Sequence, residues 1–172
     1  GLYDGVEFGT PAVADEDLTL DVFDITPDML KGVDAVVHLA AISNDPMGDL
    51  DPRITHHINT DGTMHVARAA KAAGVPRFLF ASSCSIYGAA GDSILGEGAE
   101  FTSVSAYAEP KVNAEAQLTE LESADFAVTY LRNSTAYGQS PRLRTDLAVN
   151  NLLAFAVSIN EVKLLSDGTS WR

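Results

Sequence analysis

The segment SAYAEPK, residues 105–111, places a phenol and an amine four positions apart. If the segment is helical, Tyr107 and Lys111 lie on the same face of the helix, one turn apart. A phenol with a pKa of about 10 is a poor base at neutral pH, but a nearby ammonium group favours the phenolate and lowers that pKa. The pair therefore suits acid/base catalysis. Spacing alone favours an ordinary helix surface on which the two residues merely align.

Hydroxyl and small side chains follow two predicted strands. The run FLFASSCSIYG (78–88) leads into Ser82 and Ser83, and the run DAVVHL (34–39) leads into AAIS (40–43). At the carboxyl end of a parallel strand such residues border the crevice in which open α/β sheets bind ligands. Small side chains let a flat ring or a ribose approach the backbone, and a hydroxyl bonds a substrate oxygen. Each segment by itself also fits a tight turn.

The elements that position these residues follow from the apolar pattern. Short apolar runs alternate with helix-length segments, which predicts βαβ units and a parallel sheet. The predicted strands are 18–23, 34–39, 77–82, 127–131 and 162–165. The predicted helices are a short one after Thr26 and Pro27, and longer ones at about Pro52 to Ala73, Ser105 to Ser123 and Arg144 to Ser158.

Composition excludes several classes of protein. The 172 residues include 11 basic and 24 acidic side chains, a net charge of −13, and the basic residues are scattered. Such a chain repels a phosphate backbone, so no nucleic-acid partner is expected. No apolar run approaches the roughly 18 to 20 residues that span a bilayer, and Cys84 is the only cysteine. We expect no membrane association, no intrachain disulfide and a cytoplasmic location.

The order and separation of HLAA (38–41), SSCSIYG (82–88) and the pair Tyr107 and Lys111 resemble the extended short-chain dehydrogenase/reductase family, particularly its nucleotide-sugar epimerases and dehydratases. The resemblance extends to LDVFD (20–24), INTDGT (58–63), LRNSTAYG (131–138) and DGTSWR (167–172). It implies an α/β fold with a Rossmann-like, doubly wound parallel sheet. It also implies NAD as cofactor, with NADP not excluded, and a nucleotide-sugar substrate.

The resemblance also implies roles for individual residues. Tyr107 exchanges a proton with a sugar hydroxyl, Ser83 shares that hydrogen bond, and Lys111 lowers the tyrosine pKa and bonds the nicotinamide ribose. Besides Tyr107 and Lys111, the implied cofactor contacts are Asp21, Val22, Leu39, Ala40, Ala41, Asn59 and Ser82. The implied substrate contacts are Ser83, Cys84, Ser85, Thr135, Asn150 and Arg172, with Arg142 and Arg144 as further candidates.

Departures from the family pattern bear on the reaction. Dehydratases of the family carry acidic residues after the catalytic hydroxyl, whereas this chain has Cys84 and Ser85 there, and Thr135 stands where many relatives have asparagine. Epimerisation is therefore favoured. A nucleotide-sugar ketoreductase or dehydratase, a non-catalytic dinucleotide-binding sensor on the same fold, and an interaction fragment are the alternatives. No metal site is expected, because His56 and His57 lack partners at metal-ligand spacing.

The family's opening strand and glycine-rich turn have no counterpart in these residues. We therefore expect residues 1–172 to be a partial Rossmann-like domain, without the first two strands and most of the C-terminal substrate region, in which 141–172 lead into that region. Pro110 is expected to distort the helix beside Lys111. The helices at 52–73 and 105–123 resemble the pair through which relatives form homodimers.

Overall fold

The computed structural model describes residues 13–43, 48–88, 93–102, 105–141 and 143–164. Three parallel strands form its sheet, in the order β1 (Val36–His38), β2 (Arg77–Ala81) and β3 (Ala127–Leu131). Val36 pairs with Phe78, and Phe80 with Tyr130. Helical segments connect the strands, as parallel pairing requires. This arrangement confirms the predicted Rossmann-like α/β fold and three of the five predicted strands.

One long helical segment connects β1 and β2. It consists of α1 (Pro52–His56), a π-helical turn (His57–Gly62) and α2 (Thr63–Ala72). Asp51 caps its start by accepting a hydrogen bond from the Arg53 amide at 3.0 Å. The segment confirms the helix predicted over 52–73. The π turn was not predicted, and such turns are frequent at functional sites.

The helices after β2 are shorter than predicted. The chain passes through a 3₁₀ turn (Cys84–Tyr87), then α3 (Ala108–Leu121) before β3 and α4 (Ala148–Ile159) after it. The distortion expected at Pro110 is absent, because α3 runs unbroken through this residue. Pro110 lies in the first turn, where a backbone N–H has no intrahelical acceptor to lose.

The core lies where α2 and α3 pack against one face of the sheet. The buried residues of the core all have apolar side chains. They are Met64, Val66, Ala67, Ala70, Val75, Phe78, Phe80, Ala114, Leu118 and Phe126. Phe78 and Phe80 alternate along β2 and therefore point to the same face. This packing fixes α3 relative to the carboxyl end of β2.

The strand predicted at 18–23 is wrong. Val22–Asp24 forms a 3₁₀ helix, in which Asp21 and Asp24 make a reciprocal capping box. A strand needs a neighbour for its backbone groups, and among the described residues no strand lies beside this segment. A second 3₁₀ helix, Pro27–Leu30, stands at the short helix predicted after Thr26.

The strand predicted at 162–165 is also wrong over the residues described, because 161–164 form no regular element. The chain divides into two compact units, one of Thr19–Ser134 and one that combines Gly1–Leu18 with Thr135–Arg172. The sheet, α1, α2 and α3 belong to the first unit, and α4 belongs to the second. Among the residues described, no helix has the length and hydropathy needed to cross a membrane.

Candidate active site

The carboxyl ends of the parallel strands share one edge of the sheet. β1, β2 and β3 end at His38, Ala81 and Leu131. The segments 39–41 and 82–83, predicted from the sequence to contact cofactor and substrate, follow the first two of these ends. Leu39 is 68 % exposed, so the backbone beyond β1 is open to a ligand. This edge is where open α/β sheets bind their ligands.

Lys111 joins α3 to the end of β2. Its Nζ donates a hydrogen bond to the carbonyl oxygen of Ala81 at 2.8 Å and lies 4.7 Å from the ring centroid of Phe80. The residue is only 3 % exposed. Burial lowers the pKa of the ammonium from 10.5 to about 8. The group thus keeps most of its charge at neutral pH although that charge is costly to bury.

Tyr107 is the residue from which α3 starts. It precedes Ala108 as the N-cap, and the helix start is held by a hydrogen bond from the Ala108 amide to Ser105 Oγ at 3.1 Å. Gly48 lies against Tyr107 from the segment before α1. Within the part of the chain described, the half-buried Tyr107 has no hydrogen bond to its hydroxyl. Its phenol is therefore available to a ligand, one helical turn before Lys111.

Ser82 and Ser83 are buried directly after the carbonyl that Lys111 holds, being 6 % and 8 % exposed. Ser83 caps the 3₁₀ turn, since its Oγ accepts a hydrogen bond from the Ser85 amide at 3.2 Å. The hydroxyl proton of Ser83 is left to donate to a ligand oxygen. Cys84 and Ser85 are half-buried within the same turn. Lys111 and the two serines are thus brought together at Ala81.

Asn59 holds the segment after β1 in place. Its Oδ1 accepts from the Ile42 amide at 2.8 Å, and its Nδ2 donates to the Ile42 carbonyl at 2.9 Å. Asn59 is fully buried within the π turn. The pair of hydrogen bonds fixes the path of Ala40 and Ala41, so Asn59 acts on the ligand-binding edge through this backbone.

Asp21 and Val22 lie near the same helical segment. A Cβ at Gly62 in the π turn would lie 3.0 Å from the Val22 side chain, so the glycine permits this close approach. The Asp21 carboxylate accepts from the Phe23 amide at 3.0 Å. Val22 is therefore held next to the π turn that carries Asn59.

Comparison with known proteins gives a match to the family model described as NAD dependent epimerase/dehydratase family over residues 12–172. The chain belongs to this family. Membership confirms the resemblance that the motifs indicated, and it identifies NAD as the cofactor of the protein class.

Individual relatives of this epimerase/dehydratase family are distant. The chain is 28 % identical to a UDP-glucose 4-epimerase of Bacillus subtilis (strain 168) over 138 residues, which are 77 % of this chain and 41 % of that protein. Among solved structures, it is similar to the NAD-dependent NDP-hexosamine 5,6-dehydratase TunA, at 28 % identity and a TM-score of 0.73, over 87 % of this chain and 49 % of that one.

A second solved structure is MoeE5 in complex with UDP-glucose and NAD, at 30 % identity and a TM-score of 0.72, with 84 % of this chain and 48 % of that chain covered. The chain therefore spans less than half the length of each of these three proteins.

The first unit fits the nicotinamide cofactor of the family. The Ser82 hydroxyl is buried and has no hydrogen-bond partner among the described residues. Buried hydroxyls in folded proteins nearly always have a partner, so a ligand atom is the expected one. The exposed, small-residue segment after β1 and the buried ammonium of Lys111 border the same edge. These features suit a ligand that carries a ribose and a flat ring.

Other predicted contacts of this epimerase/dehydratase chain lie in the second unit. Thr135 is exposed there. Asn150 is 8 % exposed, its Oδ1 accepts from the Gly138 amide at 2.8 Å, and its Nδ2 donates to the Arg144 carbonyl at 2.8 Å. Arg144 pairs with Asp146 at 2.6 Å. Asn150 thus organises the loop before α4. Arg142 and Arg172 lie outside the described residues.

His56 and His57 lie on the exposed surface of the α1 segment. His57 contacts Asp61 at 2.9 Å and stacks on Phe23, with 4.5 Å between the ring centroids. No group of three or more metal-ligating side chains occurs within the described ranges.

His38 was missed by sequence reasoning, although it stands in the HLAA motif. Its Nε2 lies 3.0 Å from Thr63 Oγ1, which donates its own proton to the Asn59 carbonyl at 2.7 Å. His38 therefore carries its proton on Nε2. Burial first, and then the charge of Lys111, lower its pKa from 6.5 to about 4. A neutral histidine thus lies near the ammonium of Lys111.

Proposed function

We propose that this chain provides the catalytic residues of an NAD-dependent nucleotide-sugar epimerase, which oxidises a sugar hydroxyl transiently and reduces the carbonyl from the opposite face. The observation that carries the proposal is the junction at Ala81. There the buried Lys111 ammonium meets the carbonyl that precedes Ser82 and Ser83, one helical turn after Tyr107. UDP-sugars are the first substrates to test, because similar proteins are named for UDP-glucose.

In this proposal each side chain has a defined task. Tyr107 accepts the proton of the sugar hydroxyl and later returns it. Ser83 donates a hydrogen bond to the same oxygen, and the positive charge of Lys111 favours the phenolate of Tyr107. When bound, NAD supplies the hydride acceptor at C4 of its nicotinamide. Lys111 and Ser82 would hold the ribose side of the cofactor, and residues 39–41 would border it.

Water elimination by the family's usual route is less well supported. The turn after Ser83 holds Cys84 and Ser85, which offer no carboxylate to act as the additional acid or base. A ketoreductase remains the nearest alternative, because it needs the same three residues. A homodimer through helices 52–73 and 105–123 is also proposed, as Ile54 on α1 is 52 % exposed. A cytoplasmic setting completes the proposal.

The test uses the full natural protein, NAD and a panel of UDP-sugars, with products identified by proton NMR. An epimerase converts one sugar into its epimer without net accumulation of NADH. Tyr107→Phe should lower kcat by at least about 100-fold while the Kd for NAD stays nearly constant. Tyr130→Phe is the matched control, since it removes a hydroxyl that bonds Thr119 and the main-chain carbonyl of Glu115, away from Tyr107.

Unchanged turnover in Tyr107→Phe would remove Tyr107 from the mechanism. Net consumption of reduced cofactor would identify a ketoreductase instead, and loss of water from the sugar would identify a dehydratase. Tight NAD binding without turnover of any sugar would favour a sensor.

A further inference from the structure

An ion pair with a buried carboxylate and a half-buried guanidinium lies on the same face of α3 as the proposed catalytic residues. Glu115 follows Lys111 by one helical turn and Tyr107 by two, and it is 4 % exposed. Arg132 directly follows β3. Its Nη2 and Nε both donate to the Glu115 carboxylate, at 2.7 Å and 3.1 Å for the closest contacts. This is a fork-like pairing of a guanidinium with a carboxylate.

The remaining nitrogen of the guanidinium connects to other segments. Arg132 Nη1 donates to the Tyr87 hydroxyl at 2.8 Å and to the Glu97 carbonyl at 2.7 Å. The Tyr87 hydroxyl in turn donates to the same carbonyl at 3.2 Å. The guanidinium also lies 4.8 Å from the ring centroid of Phe101. Arg132 thus joins α3, the end of β3, the 3₁₀ turn and the segment 93–102.

Tyr87 connects this network to the candidate active site. Tyr87 ends the 3₁₀ turn that Ser83 caps, and this turn packs against α3. A shift of the turn would move Ser83 relative to Tyr107, since the two residues are on different segments. Lys111 fixes one end of the serine segment at Ala81. Arg132 fixes the other end through Tyr87.

Stability alone does not explain the choice of residues. Burying the Glu115 carboxylate costs desolvation that its attraction to Arg132 often fails to repay, and apolar residues of similar volume frequently stabilise as well or better. A planar guanidinium, however, holds several acceptors in fixed directions, which neither an apolar side chain nor lysine achieves. The pairing of Arg132 with Glu115 and Tyr87 is therefore suited to fixing the position of the 3₁₀ turn relative to α3.

We propose that Arg132 and Glu115 are positioning residues, which act through Tyr87 to hold the Ser83 turn in register with the part of α3 that carries Tyr107 and Lys111. The catalytic consequence rests on the proposed function, whereas the positional claim does not. The network consists of two charged groups, one phenol and one carbonyl, all linked by hydrogen bonds.

The test compares Arg132→Lys and Tyr87→Phe with Tyr130→Phe in the full natural protein. Arg132→Lys keeps the charge but loses the fork, and Tyr87→Phe removes one hydroxyl and leaves the ion pair intact. Tyr130→Phe makes the same chemical change at a hydroxyl that bonds Thr119 at 2.8 Å and the main-chain carbonyl of Glu115 at 3.4 Å, but neither the Glu115 carboxylate nor the turn. Amide hydrogen exchange over 83–88, kcat, KM and the Kd for NAD are measured well below the melting temperature.

The first two variants are expected to exchange faster over 83–88 and to lose about tenfold in kcat and equally in kcat/KM, with the Kd for NAD within about threefold of wild type. The control should show neither change. Unaltered exchange over 83–88 in both variants overturns the positional claim, whether or not the protein is active. Faster exchange with unchanged kcat shows that the network holds the turn without any effect on catalysis, and it overturns the catalytic part of the proposal.

A wild-type protein that turns over no nucleotide-sugar refutes the proposed function separately. Hydrogen exchange then still decides whether Arg132 holds the turn. Should Arg132→Lys fail to fold, Tyr87→Phe carries the test, because in that variant the buried Glu115 carboxylate remains paired with Arg132.

Discussion

Replacing Lys111 by methionine should make the cofactor-free protein more stable and less able to bind NAD. The buried ammonium has its pKa lowered from 10.5 to about 8, and this difference corresponds to about 3 kcal/mol of unfolding free energy lost at pH 7. Methionine fills a similar volume without the charge. It also leaves the Ala81 carbonyl without its donor, which lowers the unfolding free energy by about 1 to 2 kcal/mol. The net expected gain is about 1 to 2 kcal/mol.

The difference in unfolding free energy between the wild type and Lys111→Met should depend on pH, with a definite sign. The pKa of Lys111 is lower in the folded state, so between pH 8 and 10.5 the unfolded chain binds more protons at this residue than the folded chain does. The stability of the wild type therefore rises relative to that of the variant as pH rises through this window. Near pH 10 the advantage of Lys111→Met should shrink to about zero or reverse.

Urea unfolding followed by circular dichroism at pH 7 and pH 10, with a separate NAD titration, measures both effects. Lys71→Met is the matched control, since Lys71 also donates to a carbonyl, that of Leu121, and lies 5.9 Å from the ring centroid of Phe126, but it is exposed. It should change the unfolding free energy by no more than about 0.5 kcal/mol at either pH. A less stable Lys111→Met at pH 7, or an equal difference at both pH values, would refute the reasoning.

Three further outcomes follow from the site and its surroundings. Asn59→Ala should lower the unfolding free energy by about 2 to 4 kcal/mol, because both backbone groups of Ile42 lose their partners. It should also speed amide exchange at Ile42, and unchanged exchange there would contradict the prediction. Between pH 6.5 and pH 4 the wild type should lose about 3 kcal/mol of unfolding free energy that His38→Gln does not lose. The pKa of His38 is lowered from 6.5 to about 4 in the folded state, so the unfolded chain binds more protons in that window. Parallel curves of unfolding free energy against pH, measured by urea titration, would contradict this prediction. Gly88→Ala should lower the melting temperature of the protein more than Gly74→Ala does. Both glycines have positive φ, 66° and 80°, but of the two only Gly88 would have a Cβ 2.5 Å from a backbone oxygen. Equal melting temperatures would count against the close contact.

The strands that were predicted correctly are those that pair with a neighbour in the sheet. Phe78 and Phe80 alternate along β2 and are fully buried, so their apolar pattern reports packing directly. The segment at 18–23 has a similar apolar alternation, yet Leu18 and Leu20 are 55 % and 43 % exposed. An apolar pattern does not by itself supply a hydrogen-bonding neighbour, which is why this prediction was wrong.

Residue types and spacing by themselves predicted the parallel α/β class and placed Tyr107 and Lys111 on one helix face, and the resemblance of the motifs to a known family selected the trio of Ser83, Tyr107 and Lys111. The class and the pair rest on local rules: helical periodicity places residues four apart on one face, and strand ends carry the ligand-facing loops. Only the tertiary structure brought the Lys111 ammonium to the Ala81 carbonyl, lowered its pKa, and joined Glu115 to Arg132 across 17 positions of sequence. Burial and long-range hydrogen bonds depend on how distant segments pack, and no spacing rule within one segment encodes them.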